Sequence, residues 1–401
     1  MGATLTLNDR EELTPMRRLK PIRRLPPLRR VPLLLQVLPI VLGFSFTAAS
    51  GAARAAVATP VAMATPVEND YVIRDFHFAS GETLPELRLH YATFGKAHRN
   101  VQGHVDNAVL ILHATGGSGR SLLNEHFAGV LFGHGQALDA AKYFIVLPDG
   151  IGHGKSSKPS DGLHARFPQY SYADMIAAQH TLLAQGLEVD HVRLVLGTSM
   201  GCMHAFMWGE AYPQEIDALM PLGCLPVPIA GRNRLWRNLI IQAIRTDPEW
   251  LKGEYTSEPQ GALRSAAGIL LLAASAPIQM QRSLPTRDAA DEFLEKFMQR
   301  ELEELNANDL LYQVAASRDY DPSAQLEKIQ SALTLINFGD DFVNPPELGI
   351  AEREIKRVKG AHFVLLPASD QTHGHGTHTW AAVWQQYLVQ LLKDSQPPTG
   401  N

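Results

Sequence analysis

The amino-acid sequence predicts an α/β fold built on a mostly parallel, doubly wound sheet, with a helical lid inserted before the last strands. Three observations lead there. Short apolar runs, AVLIL at 108–112, YFIVL at 143–147 and VRLVL at 192–196, each end in a glycine-rich loop, as strands buried on both faces of a parallel sheet do. Stretches of helical period, such as 171–185, separate them, so right-handed crossovers follow. Between Cys224 and Pro322 the alternation of strand and helix stops and the chain turns helical. Helices placed over the carboxyl edge of an open sheet form a lid, because that edge is where such sheets bind ligands.

The elements follow in chain order. Residues 1–55 have the layout of a secretory signal peptide: an Arg-rich stretch from Met16, an apolar run at 31–46, small residues, and an A-x-A cleavage motif at Ala53-Arg54-Ala55. Met16 is a second candidate start. Pro32 and Pro39 interrupt the apolar run, which is too short to span a bilayer comfortably. An uncleaved anchor and an Arg-rich organellar transit peptide are the competing readings. Residues 56–67, rich in Ala, Thr and Pro, read as a linker. The first part of the core is expected over 68–223, with strands at 87–93, 108–112, 143–147, 192–196 and 216–222. The lid is expected over 224–322, with helices at 234–246, 261–274, 287–305 and 307–317. The second part of the core covers 323–395, with strands at 332–338 and 361–366 and a closing amphipathic helix at 380–392.

Composition narrows the function classes. Of 401 residues 45% are hydrophobic, enough for a large core and far from a disordered composition. Lys and Arg number 36 against 41 Asp and Glu, a formal −5, so no basic field exists to hold nucleic acid. Without residues 1–55 the balance is 27 against 38, a formal −11, and no stable membrane insertion is expected after processing. Two cysteines, Cys202 and Cys224, are too few for a disulfide framework or a zinc ribbon. They are expected to be buried free thiols.

The chemistry gathers at one turn. After the strand at 192–196 comes Gly197-Thr198-Ser199-Met200-Gly201 and then a helix, a G-x-S-x-G motif in the strand–turn–helix context that gives it meaning. The glycines leave room where backbone and helix come close. Ser199 is presented at a helix N-terminus, where free N–H groups favour a developing anion. It is the candidate nucleophile; the plainer reading is an ordinary serine cap. The loop His113-Ala114-Thr115-Gly116-Gly117-Ser118-Gly119 is expected to lend the Thr115 backbone N–H to an oxyanion hole, with Met200 lending the other. A phosphate cradle is the competing reading, but no Lys completes a P-loop. His113 reads as a structural loop histidine.

In folds with this motif the order is Ser, then acid, then His. The strand at 332–338 ends in Gly339-Asp340-Asp341-Phe342-Val343-Asn344-Pro345-Pro346, and an acid on a Pro-fixed turn can hold an imidazole in one tautomer. Either Asp340 or Asp341 could serve, with the spare one capping the turn. After the last strand the chain carries His373, His375 and His378 within six residues. A metal site would want supporting carboxylates and regular spacing, so no metal and no cofactor is expected. His375, with a glycine on each side, is the candidate base. His373 and His378 are expected at the loop surface, and His362 in the strand.

Several stretches also resemble the homoserine O-acetyltransferase family of α/β-hydrolase-fold proteins: LRLHYATFG, DNAVLILHATGG, YFIVLPDGIGHGKSS, FPQYSYADMIAAQHTLL, GTSMGCMHAFMWGEAYP, IRTDPEWLKGEY and NANDLLY. They occur in the family's order from about Leu87 to the closing helix. The resemblance implies an α/β-hydrolase fold, selects Asp341 by the family's acid, three residues, Pro-Pro spacing, and selects His375 by its Gly-His pair. It also carries the nucleophile and oxyanion roles onto Ser199, Thr115 and Met200, and implies a homodimer joined through the lid. Three departures bear on substrate. Thr198 and Cys202 stand where the family's turn has glycines, Gly376 stands where an Asp usually follows the histidine to hold a substrate amine, and the apolar 268–273 offers no arginine for a substrate carboxylate. An amino-acid substrate needs both charge partners, because an unpaired buried charge is costly.

The expected activity is that of an exported, periplasmic or secreted, serine hydrolase acting on a small-molecule carboxylic ester or amide through an acyl-enzyme. The alternative is an acyltransferase that uses acyl-coenzyme A, a cytoplasmic donor that an exported enzyme would not meet. A catalytically silent binding protein on the same fold is the third reading.

Overall fold

Apolar runs without polar alternation become the middle of the sheet. In the computed structural model, which describes residues 65–396, eight strands form one sheet: β1 (Val67–His77), β2 (Thr83–Phe94), β3 (Ala108–Leu112), β4 (Phe144–Pro148), β5 (Leu194–Thr198), β6 (Ala218–Leu222), β7 (Ala332–Phe338) and β8 (His362–Leu366). Their spatial order is β1-β2-β4-β3-β5-β6-β7-β8. β2 runs antiparallel to β1 and β4, and every pairing from β4 to β8 is parallel. The leader expected at 1–55 and the linker up to residue 64 lie outside the described residues.

β3, β4 and β5 are buried along their whole length, and successive side chains enter two different cores. Leu110, Val146 and Val195 pack with Met175 and Ile176 of α1 (Tyr172–Thr181) and with Phe206 and Trp208 of α2 (Met200–Ala211). Val109, Ile145 and Leu196 pack on the opposite face with Trp384 and Leu388 of the closing helix, Ala381–Asp394. Each fully buried aliphatic side chain of this kind contributes about 1.5–3 kcal/mol. α1 starts where Ser171 and Asp174 cap each other: the Asp174 N–H donates to Ser171 Oγ at 3.3 Å and the Ser171 N–H to Asp174 Oδ2 at 2.8 Å, a reciprocal box that satisfies two otherwise orphaned donors.

The lid has a core of its own. It comprises α3 (Gly231–Thr246), α4 (Gln260–Ala274), α5 (Pro277–Ser283), α6 (Arg287–Glu304) and α7 (Ala307–Ala315), of which α3, α4 and α7 bring Ile240, Ile244, Leu263, Ala266, Leu310 and Val314 together. Val343, from the turn after β7, joins that core, which ties the lid to the carboxyl edge of the sheet. Two elements differ from expectation. β1, where a linker was expected to end, is an edge strand paired only with β2 and leaves most side chains in water, so it lacks an apolar run. α5 is a seven-residue helix opened by Pro277, too short to carry a periodic signal.

Candidate active site

β5 ends at Thr198, and the next residue must turn sharply to enter α2. Ser199 makes that turn at φ 52° and ψ −103°, a left-handed conformation that costs a non-glycine residue strain and is typical of a side chain held for chemistry. The flanking glycines are required by space. A Cβ on Gly197 would strike the Gly201 carbonyl, and one on Gly201 would strike the Leu112 carbonyl. Thr198, at a position where the resembling family has glycine, donates its hydroxyl to the Leu112 carbonyl at 3.2 Å and so fastens the end of β5 to β3.

Three side chains from three sheet-edge loops form one hydrogen-bonded chain. Ser199 Oγ lies 2.8 Å from His375 Nε2, and His375 Nδ1 lies 2.9 Å from Asp341 Oδ2. The carboxylate can only accept, so Nδ1 carries the proton and Nε2 is left to accept from the Ser199 hydroxyl. The Asp341 side chain is fully buried. Burial pushes its carboxyl up, but His375 and the N–H groups of Asn344 and Val343 outweigh that and hold it below the ordinary carboxylate value. Val343 N–H donates to Oδ1 at 2.7 Å and Asn344 N–H at 3.1 Å. Asp340, the other candidate acid, instead accepts from Thr372 Oγ1 at 2.8 Å and from the Gly374 N–H at 3.0 Å.

The loop after β3 folds back toward Ser199. Met200 opens α2, so its N–H has no intrahelical acceptor, and among the described residues the Thr115 N–H has no backbone acceptor. Gly116 takes φ 74° next to Thr115, and the Gly117 N–H closes a turn onto Ala114. His113 is structural, as expected: Nε2 accepts from the Gly150 N–H at 2.9 Å and Nδ1 donates to the Ala114 carbonyl at 2.8 Å. Burial pushes it below the ordinary histidine value. The loop is tied to the turn by the Gly201 N–H, which donates to the His113 carbonyl at 3.1 Å, and N–H groups without a protein acceptor are what an oxyanion hole requires.

Two expectations are corrected. Cys202 and Cys224 are not free thiols but a disulfide, with Cα atoms 5.8 Å apart. Cys202 lies in the first turn of α2 and Cys224 just beyond β6, so the bond fastens the helix that follows Ser199 to the neighbouring strand. Spacing alone could not reveal a pairing that the parallel β5–β6 register creates. His378 is not at the loop surface: it is buried, edge-on to His375 with ring centroids 5.1 Å apart, and burial pushes it down to about 3. His373 does lie further out, stacked on Trp380 at 3.7 Å. His362 opens β8 and is exposed.

Some supporting residues carried no sequence signal. Asn344 donates its side-chain amide to Gly223 O at 2.9 Å and to Asp341 Oδ2 at 3.3 Å, which ties the turn carrying the acid to the loop after β6. Arg237 of α3 is buried, with Nε donating to Asn233 Oδ1 at 2.9 Å and Nη1 to Ser317 Oγ at 3.1 Å. Among the described residues no carboxylate pairs with it. The lid therefore holds a cation, although the 268–273 stretch does not. Among the described residues, no three His, Cys, Asp or Glu side chains converge as metal ligands would.

Comparison with known proteins shows the family and the fold. Residues 107–349 match the family described as alpha/beta hydrolase fold. The homoserine O-acetyltransferase of Geotalea uraniireducens is 30% identical over 308 residues, covering 68% of this chain and 81% of that protein. A probable acyltransferase of Methanothermobacter thermautotrophicus is 28% identical over 279 residues, covering 69% of this chain and 84% of the other. Among solved structures, an acetylester hydrolase from Corynebacterium glutamicum superposes with a TM-score of 0.71 at 20% identity, over 82% of this chain and 96% of that one; at that identity the likeness speaks for the fold alone.

Proposed function

This chain belongs to the α/β-hydrolase fold family, as a homoserine O-acetyltransferase-like member, and on that premise we propose that it transfers acyl groups through a covalent acyl-Ser199. The observation that carries the reading is the hydrogen-bonded chain Ser199–His375–Asp341. His375 takes the Ser199 proton as Oγ attacks the substrate carbonyl, and Asp341 steadies the imidazolium. The N–H groups of Thr115 and Met200 hold the oxyanion. His375 then gives the proton to the leaving group, and on the second pass it deprotonates the acceptor.

The acceptor separates two readings. Acyl transfer to an alcohol is supported by the names of the relatives, two of which align over two thirds of this chain or more. Hydrolysis is favoured by the site's own residues. Gly376 follows His375 and provides no carboxylate for a substrate amine. The disulfide supports the export reading of the leader, since such bonds persist in oxidising compartments, and water is the acceptor available there.

One experiment separates them. Protein beginning at Ala56 is given p-nitrophenyl acetate and, separately, acetyl-coenzyme A with and without homoserine, beside Ser199→Ala. Nitrophenol release that vanishes in Ser199→Ala supports the acyl-enzyme. Thiol release that depends on homoserine selects the transferase, and its absence selects the hydrolase. Full activity in Ser199→Ala would sink both.

A further inference from the structure

Beside the candidate triad lies a chamber much larger than an acetyl group needs. Its volume is about 1110 Å³, and its walls come from the segment after β6, from α4 and α5 of the lid, and from the turn after β7. Asp341 of the candidate triad lines it, and so does Met203, whose N–H donates to the Ser199 carbonyl at 3.2 Å. A pocket of roughly 300–1,000 Å³ encloses a drug-sized ligand, so an acetyl ester would leave most of this space unfilled.

The walls specify what fits. Ile229, Leu272, Met280, Phe342 and Val343 give the chamber an apolar lining. The charged groups at its edge are largely committed to protein partners. Asp341 serves His375, Asp340 serves Thr372 and Gly374, and Arg232 donates to the Phe342 carbonyl at 2.6 Å with its guanidinium 3.8 Å over the Phe342 ring. That clasp joins the first turn of α3 to the turn carrying Asp341 and forms one wall of the chamber. Leu272 is 67% exposed and Phe342 40%, and an apolar occupant would cover such surface with a gain proportional to its area.

We propose that the chamber binds an unbranched hydrocarbon chain of about eight carbons or more belonging to the substrate ester or thioester. The proposal rests on the acyl-Ser199 reading for its placement and deepens it by naming the substrate class. Which side of the scissile bond bears the chain is decided by two substrate series: p-nitrophenyl esters from acetyl to dodecanoyl, and acetate esters of alcohols from ethanol to dodecanol.

The test compares the wild type with Leu272→Trp and Met280→Trp, which place bulk in the chamber from lid positions outside the triad. In one of the two series kcat/KM rises at least about tenfold from the shortest chain to eight carbons. Both variants abolish that rise and keep activity on the shortest ester within about twofold. A flat profile in both series, or a rise that both variants leave intact, overturns the proposal. A change of oligomeric state in the variants with an unchanged profile also overturns it and assigns the lining to a contact between copies. Labelling of Ser199 by a fluorophosphonate reports separately on the acyl-enzyme. Should labelling fail, a thermal shift with decanoate and dodecanol in the wild type, absent in both variants, still supports the chamber, and no shift in the wild type overturns it.

Discussion

Asp340 and Asp341 are consecutive carboxylates that grip the same loop at two points. Asp341 Oδ2 takes the His375 ring at 2.9 Å, and Asp340 Oδ2 takes the Gly374 N–H at 3.0 Å together with the Thr372 hydroxyl at 2.8 Å. One orients the imidazole and the other fixes the backbone that carries it.

Their substitutions are expected to separate accordingly. Asp341→Asn lowers kcat by about 10⁴, since an amide can favour the wrong imidazole tautomer. Asp340→Ala lowers the stability of the fold by about 1–3 kcal/mol and costs far less activity at temperatures where it stays folded. Steady-state kinetics on a p-nitrophenyl ester and thermal unfolding check this; a larger kinetic loss for Asp340→Ala would exchange the two roles.

The disulfide closes a segment with a sequence separation of 22, and removing a loop closure of that size costs about 3 kcal/mol. Cys202→Ala/Cys224→Ala is expected to unfold at lower temperature and to lose activity on warming before the wild type does. Native protein is expected to show no free thiol with Ellman's reagent, and two thiols after unfolding and reduction.

Glu210 of α2 gives a pH dependence of stability. Burial, with Asp321 adding to it and Lys328 opposing, pushes its carboxyl up to about 8. A raised folded value means that its contribution is fully present below the unfolded value near 4.5 and is lost as pH rises through about 8. Glu210→Gln removes that loss. Urea unfolding is expected to show the variant gaining on the wild type between pH 5 and pH 9, by about 1–2 kcal/mol once solvent screening is allowed for. Parallel curves would refute the assignment.

Gly201→Ala puts a methyl group against the Leu112 carbonyl, and backbone cannot move aside as a flexible side chain can. Loss of Ser199 reactivity toward a fluorophosphonate is expected even in the soluble fraction, because α2 must shift and Ser199 moves with it. Retained labelling at the wild-type rate would show that the turn tolerates the displacement.

The strands of the parallel sheet were legible because burial on both faces demands continuous apolar runs, and Ala332–Phe338 appears in the structure with the bounds its pattern predicts. Ser199 was legible because the sharp turn between β5 and α2 requires glycines at 197 and 201. His375 and Asp341 follow from chain order and from the family resemblance, and the structure brings both to Ser199. β1 and α5 were not legible, since an exposed edge strand and a seven-residue helix leave little apolar pattern.

What the sequence determined by itself is local: which segments must be buried, where the backbone must turn tightly, and which side chains are candidates for acyl-transfer chemistry. Tertiary structure alone decided the relations between distant segments. It gave Asp340 its grip on Thr372 and Gly374, paired Cys202 with Cys224, buried His378 beside His375 and assembled the chamber from the segments after β6 and β7 and the lid. Each of these depends on strands remote in sequence lying side by side at their carboxyl ends, a juxtaposition set by sheet order and register and by no periodicity along the chain.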